Sequence, residues 1–548
     1  SSAASDVYKR QAHVDYALSF SNYFQKRADT PTGAAYDFQT GKDIGRYYVA
    51  DNVGVSDNNT TNYKTQLNGR LQYETTIAQN HNIGAMFVYS EEYWHTRSTG
   101  ASRNDRIHPS TSEINSALTN VQSNSGSSAS EGLRSYIGRM NYSAYDKYLL
   151  EFSFRVDGSS KFIKGHQYGF FPTVAVGWRF TEEEFLKKYL SSWLSSGKLR
   201  ASWGKLGDNS GVGRFEQLET LTAMNYMSSD VVKGFVNKKM SNKDLSWEVS
   251  TDINVGLDLG FLNNRLRTEI DFYNRLRTGM NRPSQMSIHL TGAYSAPRAN
   301  IGDLLNRGLE LNLTWKDKIG NVEYSVNLNG AYNRTVLKEW NEFLSRGWVY
   351  LDMPYHFLYV YENNGIAQTW QDIYNNTPQG LSPGDVIRKD LNGDGIMEGK
   401  DKKAYPNIQR DRPTTTYGIT LQAAWKGFDI SMLFNGGLGR KDFWLTDFNN
   451  TAFADRRYAS TWDHWTEPWS LENRGGEWPR LGTSTDRSDN SYWLYNMNYL
   501  RMKNIMLGYN LPKKLLSKIS MTNLRIYASA ENLFTVTQYP GLHPEKKN

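Results

Sequence analysis

The chain has 548 residues, no cysteine, and 63 basic against 56 acidic residues, which gives a net charge of +7 at neutral pH. The missing cysteines exclude disulfides, thiolate metal sites and cysteine nucleophiles, and the interspersed charges form no basic stripe of the kind that binds nucleic acid. No run of about 18 or more apolar residues occurs, which excludes a membrane-spanning helix of ordinary length.

The composition combines many aromatic residues with a polar average. There are 35 Tyr, 23 Phe and 16 Trp, yet the mean hydropathy is −0.65. Long antiparallel strands with one wet and one apolar face give this combination, because every second residue is polar. The sequence therefore favours an all-β protein with alternating strands.

The chain begins with a segment that we expect to be foreign to the fold. Residues 1–11 (SSAASDVYKRQ) contain neither the apolar stretch nor the cleavage pattern of a signal peptide. We predict that they are a non-native or artefactual leader, and that residues 12–548 form one β-domain.

Alternation is the main signal along the chain. Apolar residues occupy every second position from Trp247 to Phe261, and a two-residue turn at Asn263-Asn264 leads into a partner in which Leu266, Ile270 and Phe272 share one face. Similar patterns predict roughly 15 to 17 strands in all. Ser123 to Ser130 (SNSGSSAS) has no apolar period and predicts a flexible loop, and Glu182 to Tyr189 predicts a short helix.

The predicted connections alternate between short and long. Short turns are expected at 79–82, 146–147, 263–264, 317–321 and 426–427, and long polar stretches at 95–131, 207–246, 276–306, 335–415 and 436–498. This asymmetry is typical of outer-membrane barrels, with short turns on the periplasmic side and long loops outside. Aromatic residues at strand ends would form interfacial girdles, although strands are rich in aromatic residues in any case. The proposed girdle residues are Tyr145, Tyr148, Trp178, Trp203, Tyr273 and Trp425.

Whole phrases of the chain resemble the SusC/RagA branch of the TonB-dependent transporters. The matching phrases lie at 135–160, 168–185, 198–209, 245–266, 384–395 (GDVIRKDLNGDG), 499–512 and 523–545 (NLRIYASAENLFTVTQYPGLHPE). The resemblance implies a transmembrane antiparallel β-barrel of 22 strands in the cell outer membrane. It also implies that the chain is a TonB-dependent receptor-like barrel domain truncated at both ends, without the plug and the final strand, and that residues 1–548 alone cannot transport.

The sharpest local motif is a run of oxygen-bearing residues with the spacing of a calcium loop. Oxygen ligands at loop positions 1, 3, 5, 9 and 12, a carbonyl at position 7 and glycine at position 6 are what Ca²⁺ requires. The alternative is a turn rich in Asp and Asn with solvated carboxylates. Position 12 is Asp instead of Glu, and no helix pair flanks the loop. The predicted metal ligands are Asp390, Asn392, Asp394, Ile396 (through its carbonyl), Glu398 and Asp401.

Clusters of aromatic residues lie in the late loops, at 443–444, 462–469 and 492–495. Aromatic rings can stack on the apolar faces of sugars, but packing between loops explains such clusters equally well. The candidate ligand contacts are Trp444, Trp462, Trp465, Trp469, Tyr492 and Trp493. The chain has no GxSxG, HExxH, Walker or strand-linked GxGxxG motif, so we predict no catalytic residues and no enzyme.

The resemblance implies energised import of a nutrient, most simply a glycan or oligosaccharide, or else a peptide. The implied partners are a SusD-like surface lipoprotein, the TonB complex, outer-membrane lipid and the cargo; no nucleic acid is expected. The rival hypothesis is a soluble secreted β-protein that binds or cleaves polysaccharide. That protein would bury the apolar strand faces against each other and present a cleft with paired carboxylates.

Overall fold

The structure is a computed structural model, and it is built almost wholly from antiparallel strands. It describes residues 10–29, 34–37, 42–46, 54–104, 106, 111–119, 121–190, 192–227, 231–286, 289, 296–342, 350–355, 357–410, 412–443, 467–480, 490–516, 521–541 and 543–545. Within these residues, none of the helices combines the length and the apolar character needed to cross a membrane.

Fifteen strands form the main sheet, and they pair in chain order. They are β1 (Arg10–Ala28), β4 (Val55–Ile77), β5 (His81–Arg103), β6 (Gln122–Ala144), β7 (Tyr148–Ser159), β8 (Tyr168–Trp178), β9 (Leu194–Asp208), β12 (Glu248–Phe261), β13 (Leu266–Pro283), β14 (Arg298–Ile319), β15 (Val322–Trp340), β20 (Thr415–Trp425), β21 (Phe428–Leu438), β24 (Tyr499–Asn510) and β25 (Arg525–Thr537). The strand number confirms the sequence prediction. Arg10 and Gln11, the last residues of the proposed leader, pair with Tyr73 and Gln72.

The smaller elements lie in the connections between these strands. Five two-stranded ribbons pair the ten remaining strands, and the described residues also contain three short α-helices. They are β2 (Ala34–Asp37), β3 (Lys42–Arg46), α1 (Glu184–Leu190), β10 (Thr220–Met227), β11 (Val231–Lys239), β16 (Phe357–Tyr361), β17 (Asn363–Ile366), α2 (Trp370–Tyr374), β18 (Val386–Arg388), β19 (Lys402–Gln409), β22 (Lys441–Phe443), β23 (Leu494–Asn496) and α3 (Lys513–Leu516).

The turns at one end of the sheet are short, as predicted. Asn263 and Asn264 between β12 and β13 have φ values of 58° and 60°, and Gly320 between β14 and β15 has φ of 58°. Such left-handed backbone suits Asn and Gly, and it matches the twist of the flanking strands. The longest connections between strands of this sheet, 209–247, 341–414 and 439–498, lie at the opposite end, so the sheet has a short-turn end and a long-loop end.

The two faces of the sheet differ as the alternation predicts. Phe152, Ile253, Val255, Phe272 and Leu309 are between 38% and 49% exposed, and no second sheet covers them in the described residues. This apolar outer face contradicts the rival hypothesis, which requires these side chains to be buried. The other face carries most of the charged side chains of the strands.

Two predictions about local structure are wrong. Ser123 to Ser130 is not a loop but the first part of β6, where Ser125 pairs with Gly100 and Ser130 with His95 of β5. Tyr273 does not belong to an outer girdle, because it lies on the charged face, where its ring covers Gly308. The predicted helix at 182–189 is confirmed as α1 with a preceding 3-10 turn at Phe180–Glu182.

Candidate functional site

The charged face carries a network of ion pairs where β9, β12 and β13 run side by side. The Arg200 guanidinium donates to Asp258 through Nε at 3.0 Å and through Nη2 at 2.7 Å. It also donates to Asp271 through Nη1 at 3.1 Å and through Nη2 at 2.9 Å. The Asn254 amide donates to Asp271 at 3.0 Å. One arginine therefore joins two carboxylates across three strands in fork geometry.

A glycine makes this crossing possible. Gly256 of β12 stands in register with Arg200 of β9 and with Asp271 of β13. A Cβ at Gly256 would lie 2.7 Å from Arg200 Cζ and 2.6 Å from Asp271 Oδ1. Because no side chain occupies that position, the guanidinium reaches over the middle strand to its second carboxylate.

The network borders a cavity on the charged face of the sheet. The cavity has a volume of about 830 Å³ and is lined by residues of β4 to β9 and by Asn254 of β12. Its charged lining comprises Glu74, Arg139, Glu151, Lys198 and Arg200. Arg139 Nη2 lies 2.7 Å from Glu151 Oε2. The buried Oδ1 of Asn254 has no hydrogen-bond partner among the described residues. The inner face thus presents charged side chains of both signs around a cavity.

At the long-loop end, the connections form a folded layer with its own apolar core. The core contains Leu358, Val360, Phe443, Trp493, Met497 and Tyr539. A second group, Ala367, Leu381 and Ile387, packs beside β17 and β18. Arg480 holds the fully enclosed Asp385 through contacts of 2.8 Å and 3.2 Å. Loops with buried cores and internal ion pairs form a defined surface at the long-loop end.

The predicted aromatic contacts divide into two groups. Trp444, Trp462 and Trp465 lie outside the described residues. Trp469 and Trp493 are 6% and 2% exposed, and Trp469 Nε1 donates to Gln368 at 2.9 Å. These two rings pack within the loop layer, as expected if the aromatic clusters serve packing between loops. Stacking of these rings on cargo stays a prediction, and it would require the loop layer to open.

Tyr492 belongs to the same layer. Its ring packs edge-on against Trp493 with centroids 4.8 Å apart, and its hydroxyl donates to the Glu477 carbonyl. Burial raises the pKa of Tyr492, and burial raises the pKa of the neighbouring Tyr495 to about 12. Both phenols are therefore neutral hydrogen-bonding groups at physiological pH.

The proposed calcium loop folds around its first and last residues. Asp390 accepts hydrogen bonds from the amides of Gly393 at 2.7 Å and Gly395 at 3.0 Å, and both glycines have positive φ. The fully buried Asp401 accepts from the amides of Leu391 at 3.1 Å and Glu398 at 2.9 Å. Burial opposes ionisation of Asp390, but the hydrogen bonds outweigh it, so its pKa lies below the ordinary value.

The remaining proposed metal ligands make hydrogen bonds and an ion pair with neighbouring loop residues. Asn392 donates to Asp394 at 2.8 Å, and Glu398 pairs with Lys400 at 2.7 Å. The exposed Ile396 donates its amide to Asp394 at 2.8 Å. Among the described residues, no group of three or more His, Asp or Glu side chains is arranged as a metal site. The calcium site stays a prediction.

The sequence did not single out the Arg200 network. Arg200, Asp258 and Asp271 occupy polar positions of the predicted alternating strands. This position in the pattern was the sequence signal available for them.

The apolar outer face and charged inner face around a cavity define a membrane β-barrel wall with a polar lumen. The family description "TonB dependent receptor-like, beta-barrel" matches residues 2–533. The chain therefore belongs to the TonB-dependent receptor-like β-barrel family and is an outer-membrane protein.

Individual relatives agree with this assignment. TonB-dependent receptor P3 of Formosa agariphila is 28% identical over 584 residues, covering 97% of this chain and 56% of the relative. TonB-dependent receptor SusC of Bacteroides thetaiotaomicron is 28% identical over 567 residues, covering 100% and 54%. A structure of the RagAB peptide transporter superposes with a TM-score of 0.80 at 21% identity, covering 98% and 57%. The chain spans about half the length of the curated relatives it matches.

Proposed function

We propose that this chain forms the barrel wall of a TonB-dependent importer of a glycan, an oligosaccharide or a peptide. The observation that carries the proposal is the division of the sheet into an exposed apolar face and a charged inner face around a cavity. A wall of this kind keeps lipid outside and gives a polar solute hydrogen-bonding groups inside. The relatives named SusC and RagAB support the assignment.

The chemistry of the wall favours a neutral or mixed-charge polar cargo. Arg139, Lys198 and Arg200 share the cavity lining with Glu74 and Glu151, so the wall offers groups of both charges. Hydroxyl and amide groups can donate to the carboxylates and accept from the cations, as sugars and peptides do. A strongly anionic cargo would instead require a wall of mainly basic residues.

We further propose that a SusD-like lipoprotein binds at the long-loop end and that the TonB complex supplies the energy. The folded loop layer, with its buried Trp493 and its Arg480–Asp385 pair, supports a docking role because it presents a shaped surface and not loose chain. A rigid platform lowers the ordering cost of association. Calcium bound at 390–401 would add to the rigidity of this layer.

Uptake in the native host tests the function. Deleting the gene should abolish growth on one class of oligosaccharide or peptide and leave growth on monosaccharide unchanged, and deleting tonB should give the same phenotype. A tagged protein should co-purify with a surface lipoprotein from detergent extracts. Normal uptake of every glycan and peptide tested in the deletion strain would contradict the proposal.

A further inference from the structure

The segment from Phe180 to Trp193, which connects β8 and β9 at the short-turn end, exposes an unusual amount of aromatic surface. Phe185, Tyr189 and Trp193 are 64%, 73% and 50% exposed. Phe185 and Tyr189 are four residues apart in α1 and so share one side of the helix. Leu186 and Leu190 are only partly exposed. Three neighbouring aromatic rings in contact with water would be unfavourable, so another apolar phase should cover them.

The contacts of the segment place it on the outer face of the sheet. The Glu183 carboxylate accepts from the Tyr148 hydroxyl at 2.6 Å and from Trp178 Nε1 at 3.2 Å. Tyr148 and Trp178 pair directly with each other across β7 and β8, in the apolar phase of both strands. Glu183 therefore ties the start of α1 to the membrane-facing side.

Two ring contacts confirm this placement. The Phe180 ring covers Gly197, where a Cβ would lie 2.3 Å from the ring, and Gly197 is two residues before the outward-facing Leu199. Trp193 stacks on Phe261 with centroids 5.8 Å apart and an interplanar angle of 21°. Phe261 continues the outward series of Ile253 and Val255. Phe180, Glu183 and Trp193 therefore contact the apolar face, whereas Thr181 and Glu182 line a small pocket with Lys198 and Asp258 of the charged face.

The exposed rings continue the apolar surface of the barrel at its short-turn end. Other large apolar side chains at the same end are exposed in the same way: Tyr145, Leu262, Ile319, Trp425 and Phe428. Aromatic rings are favoured at the level of lipid headgroups, where one edge is apolar and the other is wet. Lys187 and Lys188 are also exposed on α1, and lysine at this level can extend to headgroup phosphates.

We propose that α1 is an interfacial anchor that rests in the phospholipid leaflet at the short-turn end of the barrel, with Phe185, Tyr189 and Trp193 between the headgroups. The occupant of this aromatic surface is phospholipid, because the surface is continuous with the membrane-facing wall. The anchor fixes the level of the β8–β9 connection relative to the bilayer. It is independent of which cargo the barrel imports.

Hydroxyl-radical footprinting of the unmodified protein in phospholipid nanodiscs tests the proposal. Tyr189 and Tyr374 of α2 are matched, since they are 73% and 76% exposed in the protein alone. Tyr374 lies at the long-loop end, in water. We expect Tyr189 to be oxidised severalfold more slowly than Tyr374. Equal rates would overturn the proposal.

Spin labels identify what covers the helix. The chain has no cysteine, so Phe185→Cys and Glu182→Cys can each carry one nitroxide. We expect the label at 185 to collide more often with oxygen, which dissolves in lipid, and the label at 182 to collide more often with a water-soluble nickel chelate. A label at 185 that favours the nickel chelate, or one shielded from both reagents by a bound protein, would overturn the proposal.

Discussion

Replacing Arg200 by methionine should destabilise the barrel by about 2–3 kcal/mol. The variant keeps most of the side-chain volume but leaves Asp258 and Asp271 facing each other without a cation. The side chains of Arg200, Asp258 and Asp271 are 31%, 32% and 20% exposed. Breaking a fully buried ion pair costs about 3–5 kcal/mol and breaking an exposed one about 0–1 kcal/mol. The partly buried, double pairing of Arg200 lies between these limits.

Arg139 provides a matched control, because it lines the same cavity and holds a single carboxylate. Its pair with Glu151 is 45% and 39% exposed, so Arg139→Met should cost less than about 1 kcal/mol. Equilibrium unfolding in guanidinium, followed by heat-modifiable gel migration, measures both. Adding Asp271→Asn to Arg200→Met should restore part of the loss, since it removes one unpaired charge. If Arg200→Met costs no more than Arg139→Met, the reasoning is wrong.

Four further outcomes are expected. Gly256→Ala should weaken the barrel in the same unfolding assay because the new Cβ meets Arg200 and Asp271, whereas Gly69→Ala, with no atom within 4 Å of the new Cβ, should not. Ca²⁺ should bind the 390–401 loop, as measured by calorimetry, and should slow proteolysis of this loop. Asp394→Asn should lose both effects, whereas the control variant Asp372→Asn should keep them. The pKa of Asp390 is lower in the folded loop than its ordinary value. The ionised carboxylate therefore stabilises the loop fully above the unfolded pKa of about 3.9, and this stabilisation is lost as the pH falls through the folded pKa. Amide hydrogen exchange of the loop should accelerate in that pH range. Ser128→Cys should react with a membrane-impermeant maleimide on intact cells, and Met140→Cys should not.

The strands were predictable because their signal is local. Period-two alternation marks the two faces of each strand, and Asn263-Asn264 marks a turn of known backbone geometry, so hairpins such as β12–β13 follow from adjacent residues. The Arg200 network is different. The pairing of β9 with β12 closes a connection of 39 residues, and no local pattern gives its register. The alternating pattern predicts that Arg200 and Asp258 lie on the same face of the sheet, but it does not predict that their side chains form an ion pair.

The loop aromatics show a second limit of sequence reasoning. Trp493 and Trp469 have the composition of a sugar-stacking surface, yet the structure buries both among residues distant in the chain. Burial depends on how several long connections pack together, which residue type does not determine. Tyr273 was misplaced for a related reason: its aromatic character suggested the outer face, although its phase with Asp271 already put it on the inner one.

The polar half of β6 shows how far this sheet extends beyond the membrane. β5 and β6 each have 23 residues, which at about 3.4 Å per residue span roughly 75 Å. The apolar band of an outer-membrane barrel is only about 25 Å tall. From Arg134 towards Ser123 the outward positions of β6 lose their apolar residues, because both faces of the ribbon are in water there. A strand without alternation is therefore consistent with this fold, and Ser123 to Ser130 is held in β form by its ladder to β5 and not by burial.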